Sequence, residues 1–206
     1  MDKADQTPQI TLYGVGHTRS ARCRWALLEL GLEFDYIEDR SLIRSDKLRA
    51  LQPLAKLPVI VVDGNVLFES AAICTYLCDL APQRELVPAC GTYARGLHEQ
   101  WTSFVLTELE AYLWSNAKHS SMYAQELRVP GVIARNNDEI TQALAVLDTA
   151  LQDKPFLLGS QFSVTDIIVG WTVNWARRAG NIGEHPHLGR YLKRLFEREL
   201  CTFNQQ

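Results

Sequence analysis

The chain has 206 residues, 47% of them hydrophobic, and a formal net charge of −3, so nothing in its charge calls for a nucleic-acid partner. One large domain or two small ones of this length can bury a core, and no uncharged apolar run approaches the roughly 20 residues needed to span a bilayer. Five cysteines (Cys23, Cys74, Cys78, Cys90 and Cys201), odd in number and without paired spacing, fit a reduced cytoplasmic chain rather than a disulfide scaffold. Residues 1–8, MDKADQTP, are polar, lack the apolar core of a signal peptide and are expected to fray.

ITLY at residues 10–13 is a short β-rich segment closed by GVG. Residues 22–30 carry Cys23, Trp25, Ala26, Leu27, Leu28 and Leu30 at helical density, with Gly31 as the stop. LEFDYI at 32–37 alternates and predicts a second strand. Residues 40–50 are a charged, irregular connection with room for one helical turn. VIVV and NVLF then flank Asp63 and Gly64, a strong hairpin signal. Ser70, just before Ala71, Ala72 and Ile73, suits the N-cap of a helix to about residue 80. Strand–helix–strand order makes the first two strands parallel, and the hairpin adds an antiparallel edge.

Two prolines between residues 81 and 90 mark a linker, and beyond it the pattern is helical. Residues 93–114 predict one long helix, with Trp101, Val105, Leu109 and Tyr112 at spacings of three and four. Pro130 and Gly131 interrupt the next segment, and Ile140, Leu144, Leu147 and Leu151 resume the period over 133–151. Ser163 to Asp166, SVTD, has the form of a capping box, with Phe162 and Ile167 in the positions of a hydrophobic staple. That helix runs to about Arg178, and Pro186 opens a last one to about residue 199. The expected organisation is a small α/β domain at 9–82 and an all-helical domain at 90–206.

Several chemistry-bearing residues have ordinary explanations. Cys23 lies inside the first helix and reads as a buried structural thiol. Cys74 and Cys78 share a helical face without an accompanying His, which does not make a metal site. Arg19, Arg22 and Arg24 read as a solvated or ion-paired cluster. Trp101, Tyr112, Trp114 and Tyr123 sit at core spacing, with Trp114 and Tyr123, near a helix end, better suited to wall a pocket.

Four stretches, in order, resemble the cytosolic glutathione transferases, whose fold joins a thioredoxin-like domain to an all-helical one. LYG at 12–14 with TRSARCRWALLELGLEFDY resembles that family's first strand, first helix and second strand; QPLAKLPV at 52–59 resembles its segment before a cis-proline. FESA at 68–71 resembles its γ-glutamyl site, and QFSVTD at 161–166 the capping box of its buried C-terminal helix. The resemblance spans residues 10–199. It implies an enzyme that activates the glutathione thiol for attack on a small hydrophobic electrophile, with glutathione as co-substrate and a homodimer as the assembly. The charge, the short apolar runs and the cysteine spacing already point to no metal and no nucleic-acid or membrane partner. A glutathione-dependent isomerase, a thiol-disulfide reductase and a non-enzymatic binding module on the same fold are the alternatives.

For individual residues, the resemblance implies that a cis bond before Pro58 frees the N–H and C=O of Leu57 to pair with the cysteinyl unit of glutathione. Ser70 and the N–H groups after it suit the γ-glutamyl carboxylate, and Glu69 suits the ammonium. Lys56 suits the glycine carboxylate, with Arg44 and Lys47 as further candidates. Half-ionising a thiol of pKa about 8.5 at pH 7 takes roughly 2 kcal/mol. A hydrogen bond to the charged sulfur, about 1.5–3 kcal/mol, covers most of it, and a helix N-terminus adds about 0.3–1. Thr18, in the loop that opens the first helix, is the first choice of donor, and His17, Ser20 and Tyr13 remain open.

Overall fold

The computed structural model describes residues 7–204. The expectation that residues 1–8 fray falls mainly outside that span. The chain divides into two compact units: one takes in the chain up to Leu86 and the stretch from Leu200 on, and the other is Val87–Glu199.

In the first unit β1 (Ile10–Gly14) leads into α1 (Ser20–Leu30), and β2 (Asp35–Glu38) follows. After a one-turn α2 (Asp46–Arg49) come β3 (Val59–Val62), β4 (Asn65–Phe68) and α3 (Ser70–Leu80). The sheet order is β2-β1-β3-β4. β1 pairs parallel with β2 and antiparallel with β3, and β3 with β4 is the expected hairpin. Asp63 (φ 49°) and Gly64 (φ 79°) both take the left-handed backbone that a two-residue hairpin turn of this twist demands. β2 is shorter and later than its alternation predicted, and α1 begins two residues earlier. α1 and α3 pack against each other, and Leu12, Trp25, Leu27, Ile60, Ile73 and Leu77 are fully buried. Each such apolar side chain contributes about 1.5–3 kcal/mol.

Residues 202 and 203, expected in the helical domain, instead complete this first unit. The Phe203 ring meets Trp25 edge-on at 4.7 Å, and the Thr202 hydroxyl donates to the Ala21 carbonyl at 2.9 Å. Buried Trp25 leaves an apolar edge that a returning Phe can cover, and the hydroxyl takes a first-turn carbonyl of α1.

The second unit is helical throughout: α4 (Tyr93–Phe104), α5 (Ala111–Ala117), α6 (Pro130–Ala150), α7 (Val164–Arg178) and α8 (Pro186–Phe196). The predicted single helix over 93–114 forms without a break and widens into a π segment at Val105–Glu110. There Val105, Leu109 and Glu110 are all buried, and the Thr172 hydroxyl of α7 donates to Glu110 at 2.6 Å. A widened turn brings this carboxylate to the same interior face as its apolar neighbours, which a regular helix does not do. Pro130 does not interrupt α6; it is its first residue, where a missing N–H costs nothing.

The capping box forms as predicted. The Asp166 carboxylate accepts from the Ser163 N–H at 2.9 Å, the Ser163 hydroxyl at 2.9 Å, the Leu157 N–H at 3.0 Å and the Tyr191 hydroxyl at 3.1 Å. One side chain thus ties the start of α7 to the preceding turn and to α8. Gly170 lets the two helices close, since a Cβ there runs into Leu195. Burial raises the Asp166 pKa from 3.8 to about 6 against the lowering pull of those hydrogen bonds. The folded protein therefore holds this proton more tightly than the unfolded chain. The stability that this gives is complete below pH 4 and is lost as pH rises through 6, about 3 kcal/mol in all. In urea titrations the stability of the wild type minus that of Asp166→Asn is expected to shrink by up to about that amount between pH 4 and pH 6.5; a pH-independent difference contradicts the assignment.

Candidate functional site

The first turn of α1 and the first turn of α3 carry the candidate residues, and both belong to the first unit. The loop after β1 is held from two sides. The Gly16 N–H donates to Glu38 at the end of β2 at 2.8 Å, and the Val15 N–H donates to the Ser20 hydroxyl at 3.3 Å. Gly14 allows this approach, because a Cβ there meets Ser20 Cβ at 2.7 Å and the Tyr36 ring at 2.8 Å. His17 is exposed and takes a left-handed backbone (φ 73°).

Thr18 follows it, half-buried, at the positive end of α1. Its Oγ1 accepts from the Ser20 N–H at 3.3 Å, lies 2.9 Å from the Ser20 hydroxyl and donates to the Val15 carbonyl at 2.7 Å. Thr18 thus caps the turn with its lone pair while its proton rests on a neutral carbonyl. A thiolate competes well for that proton, since a bond to a charged group is worth about 1.5–3 kcal/mol against about 0.5–1.5 for a neutral one. Ser20 has no exposed surface and lies against the Thr18 hydroxyl. Tyr13 packs against the cluster of Leu42, Leu48, Ala55 and Val59.

Leu57 packs on that same cluster, and its peptide bond to Pro58 is cis. Among the described residues neither its N–H nor its C=O has a hydrogen-bond partner. Gln52, 4% exposed, holds the approach: its side chain accepts from the Lys56 N–H at 3.0 Å and its carbonyl from the Ala55 N–H at 2.7 Å. The Lys56 side chain is exposed, as are those of Arg44 and Lys47.

At α3 the cap is Glu69, not Ser70 as predicted. Glu69 is exposed with φ 72° and ψ 108°, a backbone that L residues rarely adopt and that aims the chain into the helix. Its carbonyl accepts the first helical bond, from Ile73 at 2.9 Å. Among the described residues the N–H groups of Ser70, Ala71 and Ala72 are open, so three donors stand at the positive end of the helix. The Ser70 hydroxyl accepts from Arg22 at 3.0 Å. Arg22 has no exposed surface, so of the two expectations for it, solvated or ion-paired, the solvated one does not hold. Its charge lies behind the start of α3.

Cys23 is buried as expected, with its thiol 3.7 Å from the Ser70 carbonyl. Burial, and then the adjoining Cys23 thiol, push the Cys74 thiol well above the ordinary range. No group of three or more metal-binding side chains occurs among the described residues. In the second unit the half-buried Trp114 meets Trp175 edge-on at 6.3 Å, Trp101 meets Phe104 at 5.8 Å, and Tyr112 is half-buried. Tyr123 is exposed against His119. Arg22 and Gln52 are the site residues that sequence patterns missed; a charge inside a helix that is apolar on several faces was the available signal for Arg22. Cys90 is exposed and Cys23, Cys74, Cys78 and Cys201 are buried. Titration of the native chain with a disulfide reagent is therefore expected to give a single fast-reacting thiol, abolished by Cys90→Ser; a second fast thiol lost in Cys23→Ser contradicts a structural role for Cys23.

The sequence matches the model of the glutathione S-transferase N-terminal domain over residues 18–80 and that of its C-terminal domain over residues 130–194. It is 27% identical to glutathione S-transferase U22 of Arabidopsis thaliana, over 86% of this chain and 81% of that protein. It is 30% identical to glutathione transferase GST 23 of Zea mays, over 75% of this chain and 66% of that one. The theta class glutathione S-transferase of Xanthomonas axonopodis pv. citri, solved with glutathione bound, superposes with a TM-score of 0.80 at 25% identity, over 94% of this chain and 95% of that chain. With both domain models matched in order on a thioredoxin-like sheet and a helical unit, the chain belongs to the glutathione S-transferase family.

Proposed function

We propose that this glutathione S-transferase seats its co-substrate glutathione along Leu57 and the start of α3, and that the Thr18 hydroxyl donates to the glutathione sulfur. The observation that carries this reading is the trio of open N–H groups at Ser70, Ala71 and Ala72, a ready seat for the γ-glutamyl carboxylate. The Ser70 hydroxyl, accepting from Arg22, keeps its own proton for that carboxylate. Exposed Glu69 takes the ammonium, the unpaired backbone of Leu57 takes the cysteinyl unit, and exposed Lys56 takes the glycine carboxylate. The buried state of Cys23 argues against a cysteine-based reductase.

The thiolate then attacks a small hydrophobic electrophile, and catalysis is mainly positioning and thiolate stabilisation. The assembly is a homodimer, for which the exposed apolar side chains of Val66, Phe68, Tyr76 and Leu80 on β4 and α3 supply surface. The compartment is the cytoplasm, in keeping with five free thiols. No helix among the described residues is long and apolar enough to cross a membrane.

Retention on glutathione-agarose, lost in Ser70→Ala, is expected, and flow-through of the wild type overturns the binding assignment. With a chlorodinitrobenzene electrophile, whose chloride the thiolate displaces, Thr18→Val is expected to lower kcat/KM about 10- to 100-fold. Thr18→Ser is expected to retain most activity. An unchanged rate in Thr18→Val transfers the donor role to His17, Ser20 or Tyr13.

A further inference from the structure

A cleft lined by basic side chains lies in the helical unit, far along the chain from Thr18, Leu57 and Ser70. It opens over about 250 Å³ between the turn that follows α6 and one face of α8, and Lys154, His187, Arg190 and Arg194 line it. The three α8 residues stand at spacings of three and four and so share one helical face. Asp148 already occupies the N-terminus of α8, accepting from the N–H groups of His187 and Leu188 at 2.8 and 2.9 Å, so the helix end itself is filled.

The three cations have only neutral partners. Lys154 donates to the Leu157 carbonyl at 2.7 Å and Arg194 to the Pro155 carbonyl at 2.8 Å. Arg190 lies 2.6 Å from His187 Nδ1 and donates to that ring nitrogen, while His187 Nε2 lies 3.9 Å from Asp148. Among the described residues no carboxylate comes within 4.0 Å of any of the three, including Asp153 on the rim. Each cation is therefore oriented by an uncharged atom, keeps further donors and lacks a counter-charge. Such a converging set suits a tetrahedral dianion. The cleft exceeds the roughly 30 Å³ share of one water several-fold, which leaves space for an organic group beside the anion.

We propose that this cleft binds the phosphate group of a phosphorylated small molecule through Lys154, Arg190 and Arg194. The site is independent of the glutathione seat. The test is calorimetric titration of the full chain with inorganic phosphate and with phenyl phosphate at constant ionic strength. The expected result is saturable one-site binding, tighter for the monoester, weakened about tenfold or more by Arg190→Gln and less by Arg190→Lys. Glutathione conjugation is expected to stay unchanged in both variants. A linear, non-saturating response to both probes overturns the proposal. So does full binding by Arg190→Gln, or loss of phosphate binding in Ser70→Ala, which places the anion at α3.

Discussion

In the first unit the guanidinium of Arg22 and the hydroxyl of Ser70 meet across 48 residues of sequence, in a place with no exposed surface on the arginine side. Burying a guanidinium is costly unless its donors are met, so the pair constrains both helices at once. α1 cannot slide along α3 without uncovering the charge. The loop that carries Thr18 depends on α1, and the open N–H groups depend on α3. This buried contact helps tie the helix whose preceding loop carries Thr18 to the helix start with the open N–H groups.

The backbone adds a second constraint. Among the described residues six non-glycine residues take positive φ, and these (His17, Arg44, Ala55, Asp63, Glu69 and Glu85) belong to the first unit. Asp63 makes the hairpin, whereas Glu69 stands immediately before α3 and His17 immediately before Thr18 in the loop that leads into α1. Such conformations cost about 1–3 kcal/mol each and persist where the surroundings demand them. Here they re-aim the chain within one residue.

How much of this was legible followed from the range of each interaction. The Asp63–Gly64 hairpin and the Ser163–Asp166 box are local, coded within four residues, and both form as their sequences predict. Pro130 was misplaced because proline signals equally a break and a first turn; the helix that follows decides between them. Ser70 was placed one position off because residue identity does not announce that Glu69 adopts φ 72°. Arg22, the π turn at Val105–Glu110 and the docking of Phe203 on Trp25 depend on partners distant in sequence, which periodicity does not register. The outline of the candidate site was thus readable in its motifs, while the buried parts that hold it in place were not.

The return of residues 202 and 203 to α1 makes the first unit discontinuous, with the whole helical unit threaded between its parts. During synthesis the chain emerges in order, and a domain made of one continuous segment can close as soon as it clears the ribosome. This one cannot: the face of Trp25 that Phe203 covers stays open until more than a hundred further residues have been made. Completion of the N-terminal core is coupled to translation of the helical unit, so a polypeptide that stops short of that return leaves the Trp25 face of α1 uncovered.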